Sequence, residues 1–142
     1  MKKGTDYIGV TVSFFCHDGS GNYVLQKRSV RCRDEHGRWD CGGGGLEFGD
    51  TIEQTLRKEI KEEYGVDVLA YEFLGVRDAH RQHDGVNTHW VSLDHKVLVD
   101  REKVFNAEPH KFDEIGWFRL DTLPEPLHSM LPTAIARYRE QL

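Results

Sequence analysis

Short apolar segments separated by polar turns dominate the pattern of the chain. Residues 8–15 (IGVTVSFF) are β-branched and aromatic, and residues 22–26 follow them after the turn-like HDGSG, which predicts a pair of strands. The same criteria predict further extended segments at residues 39–41, 66–76, 88–99 and 115–119. The polar stretches 28–37 and 77–87 are predicted to be loops.

One segment has the period of a helix instead. An apolar stripe recurs every four residues, at Ile52, Leu56 and Ile60. Asp50 or Thr51 is placed to cap the start of this helix, with a capping box completed three residues further on, and Gly65 is placed to end it. A second helix is predicted at residues 132–141. Mixed strands with two helices far apart in sequence favour an α/β sandwich around a mixed sheet over a regular βαβ repeat.

Three glutamates lie on or beside the apolar face of the first helix. At about 100° per residue, Glu63 projects into the middle of the stripe, Glu59 lies at its edge and Glu62 on its flank. A charge turned toward a core is unfavourable unless something compensates for it. A solvated acidic face is one interpretation. The other is a hard cation such as Mg²⁺, which prefers oxygen ligands and would cancel the repulsion among carboxylates spaced i, i+3 and i+4.

A run of four glycines at residues 42–45 precedes this helix. Glycine permits close backbone approach and unusual dihedral angles. A main-chain carbonyl in this run is therefore a further candidate ligand for the same cation.

Composition excludes several classes of protein. The chain has 142 residues, 30% charged and 38% hydrophobic, with a net charge of −5 and no long Lys/Arg run, which argues against a nucleic acid polymer as partner. We expect a single domain over residues 1–142. Neither an apolar run of membrane-spanning length nor a secretory signal is recognisable, so we expect no membrane partner and a cytoplasmic location.

Two residue types raise metal or redox alternatives. The cysteines, Cys16, Cys32 and Cys41, form no CxxC pair, and we interpret them as reduced thiols. The second half of the chain is rich in histidines that suggest zinc, at positions His80, His83, His89 and His95. The cysteines are not spaced to complete such a site, so a solvated or substrate-facing loop is the favoured interpretation of the histidine-rich segment.

Residues 44–66, GGLEFGDTIEQTLRKEIKEEYGV, resemble the Nudix box of the Nudix hydrolases, G-x5-E-x7-R-E-U-x-E-E-x-G-U with U a bulky aliphatic residue. The positions that match in register are Gly44, Glu59, Ile60, Glu62, Glu63, Gly65 and Val66. Asp50 stands where the first Glu is usual, and Lys58 stands where the Arg is usual. The resemblance implies a Nudix-type α/β/α sandwich around a mixed β-sheet.

The resemblance also implies a chemistry, attack of water on a phosphorus of a nucleoside diphosphate derivative with Mg²⁺ as cofactor and Mn²⁺ as a substitute. The implied metal ligands are Glu59, Glu62, Glu63 and the carbonyl of Gly43. Glu59 and Glu63 are the implied catalytic residues, Glu59 as base or metal-positioning group and Glu63 as principal ligand. Supporting roles fall to Lys58, Asp50 and Gly44.

Substrate contacts are implied outside the box. Arg28 resembles a basic residue that contacts phosphate, with an ordinary surface cation as the alternative. Leu127 and His128 follow a proline-rich turn where related proteins contact the base, although a helix cap or a surface position explains His128 equally well. Three aromatic residues are candidate core residues, one of which lines a base pocket in the alternative interpretation: Trp90, Trp117 and Phe118.

Three functional hypotheses follow. Likeness of GGGLEFGD and WFRLDTLPEPLH to MutT-like members favours hydrolysis of a nucleoside triphosphate, normal or oxidised, to a nucleoside monophosphate and pyrophosphate. The second is an ADP-sugar or other nucleoside-diphosphate-X pyrophosphatase. The third is a nucleotide-sensing module without turnover, for which Lys58 is the only support. A homodimer is implied by family analogy alone.

Overall fold

Seven strands form one mixed sheet in the computed structural model, which describes residues 1–142. The strands are β1 Gly9–His17, β2 Asn22–Arg28, β3 Trp39–Asp40, β4 Gly42–Gly45, β5 Ala70–His83, β6 Val86–Leu98 and β7 Phe112–Arg119. The helices are α1 Ile52–Tyr64 and α2 Leu131–Arg137, with a single 3₁₀ turn at Arg101–Lys103. None of the helices combines the length and the apolar composition that a membrane span requires.

Strand β1 is the centre of the sheet. It pairs in parallel with β6 and antiparallel with β4, in the order β3-β2-β1-β6-β5, while β7 joins β2. The predicted pairing of β1 with β2 is present but short, and His17 opposite Tyr23 is its one residue pair. Because β6 and β4 occupy the two edges of β1, strand β2 diverges and pairs with β3 and β7.

The two helices cover opposite faces of this sheet. Helix α1 contributes Leu56 and Ile60 to one buried cluster, and α2 contributes Leu131 and Ile135 to the other. This arrangement confirms the predicted α/β/α sandwich. The apolar stripe of α1 is shorter than predicted, because Ile52 in the first turn is 43% exposed and lies beyond the core.

The predicted loop at residues 77–87 is wrong, since this segment is the outer half of a β5–β6 hairpin. Its turn residues, Asp84 and Gly85, both have positive φ, 51° and 78°, as a two-residue type I′ turn requires. The side chains in this half of the hairpin are mostly exposed and polar, so they lack the alternation that marks a half-buried strand. The Asp84-Gly85 pair is the sequence feature that could have predicted the hairpin turn.

Smaller boundary errors have local causes. The strand predicted at residues 66–76 begins at Ala70, because Val66 and Val68 pack in the core as extended chain without a strand partner. The last helix ends at Arg137, four residues earlier than predicted. The three cysteines form no disulfide.

Candidate active site

Helix α1 presents its glutamates at different depths beside the core. A capping box fixes its start, because the Thr51 side chain accepts a hydrogen bond from the Gln54 N–H and the Gln54 side chain accepts one from the Thr51 N–H. Gly65 ends it in the left-handed region, with φ 69°. The three glutamates between these ends are the buried Glu63, the half-buried Glu59 and the exposed Glu62.

Glu63 is 5% exposed although it carries a carboxyl group. Its Oε1 accepts a 3.2 Å hydrogen bond from the Gln26 amide, and its Oε2 is buried without a partner. Burial raises the pKa of Glu63 well above its usual range; the Gln26 bond opposes this rise, and Glu59 adds to it. A buried polar atom without a partner costs about 1–3 kcal/mol, so a cation at this oxygen would be stabilising.

Two of the glycines in β4 are in contact with these carboxylates. A Cβ on Gly44 would lie 2.1 Å from Cδ of Glu59. A Cβ on Gly42 would lie 2.0 Å from the Phe14 ring and 2.8 Å from Oε2 of Glu63. Both carboxylates therefore reach their positions only because these two residues lack a side chain.

The carbonyl of Gly43 is directed away from the sheet ladder. Strand β4 pairs only with β1, where Gly43 lies opposite Ser13 and the Leu46 N–H donates to the Val10 carbonyl. Hydrogen-bonded and non-hydrogen-bonded pairs alternate along an antiparallel ladder. The amide and carbonyl of Gly43 consequently point to the open edge of β4.

The donor set at this end of the helix fits a hard divalent cation. It contains only oxygen atoms, from Glu59, Glu62, Glu63 and the Gly43 carbonyl, and Mg²⁺ prefers such ligands. The partnerless Oε2 of Glu63 is the buried atom that a cation would satisfy. The three carboxylates do not all lie within 4.8 Å of one another in this structure, and Glu62 is the exposed member.

A loop after β6 adds two charged residues that the sequence analysis missed. The Ala107 N–H donates to the carbonyl of Glu63 over 3.1 Å and holds the loop against the end of α1. Burial raises the pKa of Glu59, with Glu62 and Glu108 adding to the rise while Lys58 and Lys111 oppose it. Glu108 and Lys111 themselves lie 3.5 Å apart. No local motif marks this loop, so only the fold reveals it.

A cavity of about 420 Å³ opens beside Glu63 and the glycine strand. Six cationic side chains line it, namely Arg28, Arg31, Arg33, Arg77, Arg81 and Lys111, against the carboxyl groups of Asp40 and Glu63. Burial raises the pKa of Asp40 although His128 and Arg28 oppose the rise. The cavity is thus suited to an anionic ligand.

Arg28 lies at this cavity but is already paired. Its Nε donates to the Asp34 carbonyl over 3.0 Å, and its Nη2 contacts Oδ1 of Asp34 at 3.1 Å. Arg81, which the sequence analysis did not single out, contacts Oδ2 of Asp34 at 2.9 Å. Asp34 therefore holds both guanidinium groups at the edge of the cavity.

The two residues predicted to contact the base occupy different environments. His128 lines the cavity, is 7% exposed, and accepts a 3.1 Å hydrogen bond from the Met130 N–H at Nδ1. Its Nε2 lies 3.3 Å from Nη1 of Arg81. Leu127 instead packs against the core cluster on the α2 side, outside the cavity lining. A substrate contact by either residue stays a prediction.

The three aromatic candidates lie in different parts of the molecule. Trp90 lines the cavity. Trp117 packs against the α1-side core with Arg101 4.9 Å above its ring, and Phe118 packs edge-on against Trp39 at 5.1 Å. Trp90 is accordingly the one of the three placed to meet a bound ligand.

A buried ionic network forms the floor of the cavity. Asp94 is completely buried and contacts the Arg77 guanidinium through both oxygens, at 2.6 and 3.0 Å. It also accepts hydrogen bonds from the Tyr138, Ser92 and Ser13 hydroxyls. Burial alone would raise the pKa of Asp94, but these donors, Arg77 foremost, outweigh it and lower the pKa. The network orients Arg77 toward the cavity.

The two departures from the box are both at the surface. Lys58 is exposed and forms no salt bridge, and Asp50 is exposed while Thr51 takes the N-cap position. Neither side chain forms a hydrogen bond or salt bridge with the glutamates, although the Lys58 charge helps to lower the pKa of Glu59.

Comparison with known proteins identifies the family of the chain. A family model for the NUDIX domain matches residues 8–138. The chain is 31% identical over 113 residues to the nucleoside triphosphatase NudI of Enterobacter sp. (strain 638), an alignment that covers 73% of this chain and 77% of that protein. It is 29% identical over 98 residues to the oxidized purine nucleoside triphosphate hydrolase of Danio rerio, which covers 62% of this chain and 53% of that protein.

A solved structure has a similar fold. The crystal structure of a MutT NUDIX hydrolase from Burkholderia pseudomallei superimposes with a TM-score of 0.81 at 26% identity, covering 93% of this chain and 98% of that chain. The fold and the family match thus agree over nearly the whole chain. The protein belongs to the Nudix hydrolase family.

Proposed function

We propose that the protein hydrolyses a nucleoside triphosphate, normal or oxidised, to a nucleoside monophosphate and pyrophosphate, with Mg²⁺ as cofactor. The observation that carries this proposal is the cavity, where six cationic side chains meet Glu63 and the glycine strand. A polyphosphate is the class of ligand that such a field attracts. The two relatives named above, a nucleoside triphosphatase and an oxidized purine nucleoside triphosphate hydrolase, support the same class.

The glutamates of α1 would have different roles according to how deeply each is buried. A divalent cation would be held by Glu59, Glu62, Glu63 and the Gly43 carbonyl. When bound, it would lower the pKa of a water molecule and neutralise charge on the phosphate groups. Glu63 is buried and already shares a hydrogen bond with Gln26, which suits a fixed ligand. Glu59 is half-buried with a raised pKa, which strengthens it as a base for the attacking water. Glu108 is a second candidate base.

The basic side chains would orient the substrate. Arg28 and Arg81 are held by Asp34 at the cavity edge, and Lys111 lies on the side of the glutamates. Phosphate oxygens entering between them would exchange with Asp34 as partners of the two guanidinium groups, which are suited to bidentate phosphate recognition. Trp90 and His128 line the remaining wall, where a base would lie.

A product assay tests the proposal. The protein is incubated with Mg²⁺ and a panel of NTPs, dNTPs, 8-oxo-dGTP, ADP-ribose and diadenosine polyphosphates, and the products are resolved by ion exchange. Triphosphates should give monophosphate and pyrophosphate. Cleavage of ADP-ribose alone would replace the proposal with a nucleoside-diphosphate-X pyrophosphatase, and nucleotide binding without turnover would replace it with a sensor.

Three variants on α1 locate the chemistry. Glu59→Gln and Glu63→Gln should each lower kcat by about 100-fold or more, because each removes a charge that acts on the transition state. Glu53→Gln is the matched control, since Glu53 is exposed on the same helix and its contacts are with Arg57 and Tyr71, away from the cavity. Equal activity in all three variants would place the catalytic groups elsewhere.

A further inference from the structure

Three side chains on the outer half of the β5–β6 hairpin converge on one point. The ligand atoms of Asp78, His80 and His89 all lie within 4.8 Å of one another. Nε2 of His89 lies 2.9 Å from Oδ1 of Asp78, and the two imidazole rings are 4.1 Å apart with a 33° tilt. The histidine-rich segment therefore forms an ordered cluster rather than the loop predicted from the sequence.

Strand register produces this convergence. His80 is directly opposite His89 in the antiparallel pair. Asp78 is two residues before His80 on the same strand, so both project from the same face of the sheet. The residues between and beside them, Arg77, Ala79 and Arg81, line the cavity. The cluster accordingly lies on the opposite face from the cavity floor.

We propose that Asp78, His80 and His89 bind one divalent transition-metal ion of the zinc class, at a site separate from the glutamates of α1. Two imidazoles and one carboxylate are a common ligand set for such ions, with a water in the fourth position. Mg²⁺ prefers an all-oxygen set and would not compete well here.

The distances require only side-chain adjustment. Tetrahedral ligands at about 2.0–2.1 Å from zinc lie about 3.3 Å from one another, and the Asp78–His89 pair is already at 2.9 Å. His80 has no hydrogen bond that binding would break, and both Asp78 and His80 are exposed to incoming ions. His83 and His95 are not part of the cluster, since His83 lies at the turn and His95 is buried beside Phe73.

An ion at this point would cross-link the two strands of the hairpin. The residues adjacent to the ligands, Ala79 and Trp90, are themselves a cross-strand pair that lines the cavity. The site would therefore stiffen one wall of the cavity without contacting its contents.

Calorimetric titration of the full, untagged chain with Zn²⁺ in excess Mg²⁺ tests this proposal. We expect one Zn²⁺ per chain, and the imidazole NMR signals of His80 and His89 should shift while that of His83 does not. His80→Ala and His89→Ala should each weaken Zn²⁺ binding by about 100-fold, because each removes a metal ligand. Loss of a residue that only hydrogen-bonds to a ligand already weakens metal binding by about 10–100-fold.

Matched variants separate this site from its rivals. His83→Ala on the same hairpin and Cys32→Ser at the one partly exposed thiol should leave Zn²⁺ binding unchanged, as should Glu63→Gln in the α1 site. Absence of stoichiometric binding would overturn the proposal, and so would binding that survives the His80→Ala and His89→Ala variants. Binding abolished by Glu63→Gln with unshifted imidazole signals would assign the ion to the glutamates instead.

Discussion

At the scale of single residues, the site depends on two glycines whose missing side chains leave room for the glutamates. Gly44 leaves the space that the Glu59 carboxylate occupies, and Gly42 leaves the space beside Oε2 of Glu63. Glu63 itself is buried with one oxygen unpaired. Both features are unfavourable for stability alone, so they are best explained by the chemistry of the site.

We predict that Gly44→Ala lowers kcat/KM by about 100-fold, because the new Cβ must displace the Glu59 carboxylate and misplacement of about 1 Å has effects of that size. Gly45→Ala is the control, since its Cβ would meet nothing closer than the Trp90 ring at 4.0 Å. Steady-state kinetics on both variants check the prediction. A similar loss in both would attribute the effect to the backbone of β4 and not to Glu59.

Glu63 should make the metal-free protein less stable as pH rises. Its pKa is raised by burial, so the folded state holds its proton over a pH range where the unfolded state, with a pKa of about 4.3, has released it. Stability therefore falls from that pH up to the folded pKa and stays low above it. Urea unfolding in EDTA should show a smaller decline in Glu63→Gln than in the wild type, because the raised pKa values of Glu59 and Asp40 remain in both proteins. Glu63→Gln should be the more stable protein at neutral pH. A parallel decline in both would exclude Glu63 as its source.

At the scale of elements, the end of α1 is held both by its own cap and by the loop after β6. The left-handed Gly65 stops the helix directly beneath Phe105, and the Phe105 N–H donates to the Tyr64 carbonyl over 3.1 Å. The same contact brings the Glu108 loop to the glutamates. The residues that end the helix and the loop that completes the site are thus in direct contact.

Gly65→Ala should lower the free energy of unfolding by about 3 kcal/mol, since it combines positive-φ strain with a clash at Phe105. A Cβ there would lie 2.1 Å from the Phe105 ring. Gly37 has φ 76° and nothing within 4 Å of its Cβ position, so Gly37→Ala carries the strain alone, about 1 kcal/mol. Denaturant unfolding of both variants measures the difference, and equal losses would show that Phe105 moves aside freely.

At the scale of the whole molecule, Asp94 connects elements that are far apart in sequence. Its partners come from β1, β5, β6 and the residue after α2, respectively Ser13, Arg77, Ser92 and Tyr138. Burial, then the Asp94 contact, raises the pKa of Tyr138 to about 12. The central sheet, the outer hairpin and the second helix are therefore held to a common centre beneath the cavity.

Asp94→Asn should lower stability at neutral pH by about 3–5 kcal/mol, the usual effect of leaving a buried partner charge uncompensated. Because the folded pKa of Asp94 is lowered, its contribution is present above the unfolded value and is lost as pH falls through the folded pKa. Thermal unfolding across the acid range should thus be flatter in the variant. Asp67→Asn, at an exposed position, should follow the wild-type profile; if Asp94→Asn follows it too, the network does not stabilise the fold.

Local patterns predicted the parts of the molecule that local forces form. The capped helix from Thr51 to Gly65 and most strand segments follow from side-chain period and capping residues within a few neighbours. The strand at Gly42–Gly45 was not predicted, because glycines carry no side-chain period and the pairing with β1 is a long-range contact. The outer hairpin was missed because its polar side chains hide the strand period, although Asp84 and Gly85 carried the turn signal.

The chain by itself thus determined the helix, the order of burial of its glutamates and the membership in the Nudix family. Only the tertiary structure decided which distant groups meet them: Glu108 and Lys111 beside the glutamates, Arg81 against His128 and Asp34, and His89 opposite His80. These contacts depend on strand register and on the packing of loops separated by tens of residues. Such long-range pairing leaves no periodic trace in the sequence, because it is selected by the burial of the whole sheet and not by any neighbouring residue.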